Sequence, residues 1–145
     1  MRRSLFFILL LIAGLAQANN EVDALLQQSY TQTEAGNLDE ALQLIQQAIT
    51  KAPDSSLVYT RLGGLRVLRQ EYDEGIKDFQ KAIMLDQNNA TAFVGMAVAY
   101  LHMGQHSLAK AALNEAARLD PTKQPEIDKV LAWIAQRDEE ETSAH

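Results

Sequence analysis

Apolar and polar positions follow a helical period along most of the chain. The stretch 36–53, GNLDEALQLIQQAITKAP, carries Ala41, Ile45 and Ala48 at spacings of four and three, the stripe of an amphipathic helix. A glycine precedes it and a proline follows. Its outline returns as EYDEGIKDFQKAIMLDQ (71–87) and as GQHSLAKAALNEAARLDP (104–121). Ala41, Gly75 and Ala109 are 34 residues apart, as are Ala48, Ala82 and Ala116; Ile45, Phe79 and Leu113 hold the apolar position between them.

A first helix is predicted before each of these segments. In the third unit it reads AFVGMAVAYLHMG, with Phe93, Met96, Ala97 and Tyr100 at offsets 0, 3, 4 and 7. The second unit has Tyr59, Leu62, Gly63 and Arg66 at those offsets, and the first has Leu25, Gln28, Ser29 and Gln32. Small residues such as Gly63, Ala97, Ala41 and Ala48 let neighbouring helices approach closely. Gly36 and Gly104 sit where a first helix should end in a left-handed residue. Asp39, Asp73 and Ser107 lie near the starts of the second helices, where capping and the helix dipole favour them. Gly75 falls inside a second helix, where the other units have alanine, so Gly75→Ala is expected to stabilise. The last pattern, PEIDKVLAWIAQRDEEE, places Ile127, Val130, Leu131 and Ile134 on one face, as a solvating terminal helix requires.

The 34-residue period and the first-helix signature resemble the tetratricopeptide repeat family over about residues 22–123. The fold implied is all-α: a right-handed α-solenoid of three helix–turn–helix repeats, at about 22–55, 56–89 and 90–123, closed by a cap helix at about 125–137. Residues 138–145 are expected to be a disordered acidic tail.

The chain's beginning is of a different kind. Arg2 and Arg3 precede LFFILLLIAGL, and Ala16-Gln17-Ala18 follows. A basic start, a short apolar run and small residues in an A-x-A site make a secretory signal peptide, and the run is too short to cross a bilayer. Residues 1–18 are therefore expected to be removed near Ala18, leaving a domain at 19–137 exported to the bacterial periplasm. Retention as an anchor is the competing reading.

Composition narrows the chemistry. The 145-residue chain has no cysteine and a net charge of −6, which becomes −8 without Arg2 and Arg3. Disulfides and thiolate sites are excluded, and an acidic surface argues against nucleic acid. His102 and His106 are four apart, but Gly104 stands between them at a predicted helix end, so a shared metal-binding face is not expected. Arg61, Arg66 and Arg69 form the one basic cluster, read mainly as a solvated face balanced by Glu71 and Asp73. No catalytic triad order, phosphate loop or nucleotide motif is present. No enzyme activity, cofactor, metal or small-molecule substrate is expected.

The resemblance implies that a partner lies on the concave surface lined by first helices. The inward positions inferred from it are Leu26, Tyr30 and Thr33; Thr60, Gly64 and Val67; and Val94, Val98 and Leu101. Arg61, Arg69 and Trp133 are expected as rim contacts. Relatives that clamp a C-terminal carboxylate do so at places that read here Leu26, Tyr30, Arg61, Thr91 and Gly95; only Arg61 could serve, so that clamp is not expected. Such a groove suits an apolar segment of an envelope protein. The alternative is a self-associating scaffold, with another copy of the chain as partner.

Overall fold

The computed structural model describes the backbone of residues 2–144 and the side chains of residues 17–144. Among these residues seven α-helices follow one another: α1 (Arg2–Glu34), α2 (Leu38–Lys51), α3 (Ser56–Leu68), α4 (Tyr72–Leu85), α5 (Ala90–His102), α6 (His106–Leu119) and, after a 3₁₀ turn at Pro121–Lys123, α7 (Gln124–Ser143). They form a right-handed α-solenoid in which α1/α2, α3/α4 and α5/α6 are antiparallel pairs and α7 closes the stack. The predicted leader is the start of α1, which runs unbroken into the first repeat helix. Its side chains up to Ala16, which include Arg2, Arg3, the apolar run and the first alanine of the A-x-A site, lie outside the described residues.

The 34-residue period is visible in the backbone. Gly36, Gln70 and Gly104 all have positive φ, at +81°, +64° and +69°. They end the three first helices in the left-handed conformation, in which a non-glycine residue such as Gln70 costs on the order of 1 kcal/mol. The capping differs from expectation. Asp39 and Asp73 lie inside the first turns of α2 and α4, and the residues that precede those helices make no side-chain cap. Side-chain caps are made instead at α3 and α5, where Ser55 accepts from the Val58 N–H and Asn89 from the Ala92 N–H.

Small residues set the helix spacing. Ala41, Ala48, Ala82, Ala97, Ala109 and Ala116 are fully buried. Phe79 of α4 lies in a slot between α3 and α5 whose walls are glycines. A Cβ added to Gly63 would stand 2.8 Å from the ring, and one added to Gly95 only 2.2 Å from it. Gly75 is also a contact glycine. Its missing Cβ would lie 3.1 Å from the Gly63 carbonyl oxygen and 3.1 Å from Val67 Cγ2. Packing therefore opposes the helix-propensity argument, because to admit a methyl the Gly63 carbonyl, part of the backbone of a neighbouring helix, would have to shift by a few tenths of an ångström. Gly75→Ala should lower stability by roughly 1 kcal/mol, read as an earlier midpoint in urea melts; a later midpoint would show that α3 and α4 separate freely.

The C-terminal segment differs from the sequence expectation. The cap helix does not stop at residue 137, and 138–143 are helical rather than a disordered tail. Asp138 accepts a hydrogen bond from Lys110 and lies 2.6 Å from His106 Nδ1, both on α6. These two groups hold the Asp138 carboxyl below the usual range, Lys110 most strongly. The contacts span 28 and 32 residues of sequence, so local pattern carries no sign of them.

Candidate functional site

First helices α1, α3 and α5 line the concave face, and between them lies a cleft of about 550 Å³. The floor is built by the buried Leu26, Ile45, Leu65 and Phe79. The walls expose large apolar groups: Tyr30 is 51% exposed, Leu57 49% and Leu68 58%. Gly64 lines the same cleft, and a Cβ there would have nothing within 4 Å. A hollow of about 410 Å³ shares Thr91 and Val94 with this cleft and carries the concave face on to Ile127 and Val130 of α7.

The predicted inward residues form three rows, each spaced by 34 positions. Leu26, Thr60 and Val94 line the cleft, as do Tyr30, Gly64 and Thr33. Val98 lies in the row of Tyr30 and Gly64 but does not line the main cleft, and is 39% exposed. Val67 and Leu101 do not line it either. Val67 packs towards Phe79 and its methyl faces Gly75 of α4, while Leu101 packs into the core formed with α6 and α7. The open stripe of α3 is Leu57, Arg61, Gly64 and Leu68, at helical steps of four, three and four. Val67 lies off its edge, on the side that meets the repeat's own second helix. Leu57, Leu68 and Glu34 line the cleft as well and are not among the residues that the sequence reading named, whereas Thr91 and Gly95 line it at two of the clamp places named there.

The Thr60 hydroxyl is committed to the fold. Asn89 Nδ2 donates to it at 2.8 Å and to Ser56 Oγ at 2.7 Å; Thr60 in turn donates to the Ser56 carbonyl and Ser56 to that of Ala82. This chain of bonds ties α3 to the start of α5 and leaves Thr60 to the cleft as a methyl group.

The three predicted rim residues behave differently from one another. Arg61 lines the cleft itself. Arg69 does not; it bonds Glu71 at 2.7 Å and pairs with Asp39 of the preceding repeat. Trp133 is half exposed on α7, edge-on to His106 with the Arg137 guanidinium over its ring, and it does not line the cleft. His102 and His106 point to different neighbours, Tyr72 and the Trp133–Asp138 pair. Among the described residues no cluster of three or more metal-ligating side chains occurs.

Arg66, which replaces the tyrosine of the third unit, is drawn into a half-buried ion network. Its Nη1 donates to Glu71 at 2.9 Å, and its Nε lies 2.8 Å from Asp78 Oδ2. That N–H is not aimed at the oxygen, so neither atom gains a hydrogen bond. Burial outweighs the nearby Arg66 charge and pushes the Asp78 carboxyl up to about 6. A carboxyl whose folded pKa is raised destabilises the fold above that value, and the penalty vanishes as pH falls towards the unfolded value near 4. Asp78→Asn should therefore gain on the parent protein as pH rises from 4 to 7, by roughly 2 kcal/mol. Paired thermal melts across that range check it, and a gap independent of pH would refute it. Taking the difference removes the opposite trend of Glu71 and Asp138, whose paired carboxyls are held low.

Comparison with known proteins agrees with this architecture. Two family models, both described as tetratricopeptide repeat, match residues 23–55 and 66–134. The chain is 28% identical over 92 residues to a peroxisomal targeting signal receptor of Yarrowia lipolytica, which covers 63% of the chain and 15% of that protein. It is 29% identical over 82 residues to anaphase-promoting complex subunit 3 of Schizosaccharomyces pombe, covering 57% of the chain and 12% of that protein. The chain thus spans only a small part of the length of these relatives. Among solved structures it is similar to the TPR2B domain of yeast Sti1 in its complex with pHsp70, with a TM-score of 0.75 at 20% identity over 81% of this chain and 98% of that one. It is also similar to the Yersinia enterocolitica type III secretion chaperone SycD bound to a peptide of the translocator YopD, with a TM-score of 0.73 at 18% identity over 82% and 95%.

Proposed function

The chain belongs to the tetratricopeptide repeat family, and from that premise we propose that it is a non-enzymatic adaptor that holds a segment of another protein in its concave cleft. One observation carries the reading: at Gly64 the cleft is open, and around it Tyr30, Leu57 and Leu68 remain exposed. A folded chain gains by burying such side chains, at about 25 cal/mol per Å², and a cluster of them on a concave surface marks a binding site. Relatives of the same architecture have been captured with bound peptide, SycD with a segment of YopD among them. The cleft suits a segment that presents a bulky apolar side chain, because the space over Gly64 accepts one and the walls are apolar. The proposal includes export: Arg2, Arg3, the apolar run and Ala16-Gln17-Ala18 support removal of the leader and residence in the bacterial periplasm, with an envelope protein as partner.

The probe for this site is a set of fluorescein-labelled, C-terminally amidated 12-residue peptides. Each has a fixed central tryptophan or leucine and mixed flanks, and binding is read by anisotropy. Binding that is lost in the Gly64→Leu protein supports the reading. Binding indifferent to that change moves the site away from the cleft. Light scattering over a concentration series covers the scaffold alternative: dimers of the parent protein that Gly64→Leu dissolves would mean that a second copy fills the groove.

A further inference from the structure

Among the described residues, Arg61 is the only cation lining the cleft, and Glu34, on α1, is the only acid. Its situation differs from that of the other arginines. Arg66, Arg69 and Arg118 are in ion pairs, and Arg137 lies over Trp133. Among the described residues, Arg61 alone of the arginines from position 61 onward has no such partner. It is exposed, yet it stands on the open stripe of α3, between Leu57 and Gly64. The same position in the neighbouring repeats holds Gln27 and Gly95, so this position carries a charge in the middle repeat and in neither neighbour.

We propose that Arg61 makes the cleft selective for segments in which an acidic side chain sits beside the bulky apolar residue that fills the space over Gly64. This rests on the reading of the cleft as the binding site. Arg61 and Gly64 are three residues apart on one helix and so are surface neighbours. A side chain seated over Gly64 therefore brings the next turn of its own segment against the guanidinium. The planar fork of an arginine matches a carboxylate. The apolar walls shield the pair from water once a segment is bound, which strengthens the contact relative to one on an open surface. The chain as a whole is acidic, with a net charge of −6, so its long-range field does not favour acidic partners. A preference for them must be local to Arg61.

The same amidated peptides test this, with glutamate, glutamine or lysine placed at each position flanking the central tryptophan. Amidation removes the terminal carboxylate, so any preference reports a side chain. At one or two positions next to the tryptophan, glutamate should bind threefold to tenfold tighter than glutamine, with the gap closing at high salt. Arg61→Gln should erase the preference, and Arg61→Glu should transfer it to lysine. Both variants change an exposed side chain, and circular dichroism checks that they fold. If the peptides bind and Gly64→Leu abolishes binding, yet glutamate, glutamine and lysine rank the same with and without Arg61, this inference fails while the cleft stands. If no peptide binds, or binding ignores Gly64→Leu, the cleft reading fails and takes this one with it.

Discussion

Gly95→Ala should destabilise the protein by roughly 2–3 kcal/mol, although alanine is the better helix former by about 1 kcal/mol. The added methyl would overlap the Phe79 ring, at 2.2 Å from Cζ and 2.4 Å from Cε1. The ring cannot retreat, because Phe79 is buried and the other wall of its slot is the backbone of Gly63, where a Cβ would stand 2.8 Å away. Overpacking of a filled core costs about 1–3 kcal/mol, and more where backbone must move. The repeat itself supplies the control. One unit earlier, the position of Phe79 is held by Ile45 and the position of Gly95 by Arg61, a residue with a Cβ. A smaller second-helix side chain thus goes with a larger residue on the facing first helix. Phe79→Ile should therefore recover much of the stability lost in Gly95→Ala, while by itself it costs stability by leaving a gap. The two changes touch the same contact, so their effects should not add. Thermal and urea melts of the four proteins measure the coupling, and strict additivity would show that the glycine slot is not what fixes the spacing of α3 and α5.

Much of the fold is legible in the sequence because the repeat states each requirement three times. Ala41 and Ala48, Gly36 and Gly104, and Ile45, Phe79 and Leu113 recur at one spacing, and each recurrence corresponds to one physical need: close approach, a left-handed helix end, or a filler between small residues. What departs from the repeat is less legible. Gln70 holds the left-handed position without being glycine, and Gly75 is required by a carbonyl on another helix rather than by its own. The candidate site was found in part. Tyr30, Gly64 and Val94 line the cleft as the period places them, but Val67 and Leu101 carry apolar side chains because they face their own second helices. An apolar residue on a first helix can serve either face, and its neighbours across the interface decide which. Leu57 and Leu68 escaped notice because they stand at the ends of α3, where an apolar side chain reads as the edge of the core. Their exposure becomes evident only when no helix is found opposite them.

Gly64→Leu should abolish binding of a partner segment, with a loss of at least a hundredfold for peptides that seat a tryptophan or leucine in the cleft. The substitution is aimed at space rather than at contacts. The Gly64 Cβ position meets nothing within 4 Å, so the new side chain starts out into open space, and leucine is favoured over glycine in a helix by roughly 0.8 kcal/mol. The variant should melt at or above the parent protein's temperature, which separates loss of the site from loss of the fold. Filling the space removes the seat for the anchor residue, and central buried anchors carry several kcal/mol of a typical interface. Gly64→Ala is the graded companion. One methyl leaves most of the cleft open, and because alanine stiffens α3 as well, affinity should change by less than tenfold. Tyr30, whose ring is half exposed on the facing wall, should lose tenfold or more as Tyr30→Ala, without the gain in stability. A partner whose affinity is untouched by Gly64→Leu would be bound elsewhere, and Trp133, half exposed on the cap helix away from the cleft, would be the next residue to change.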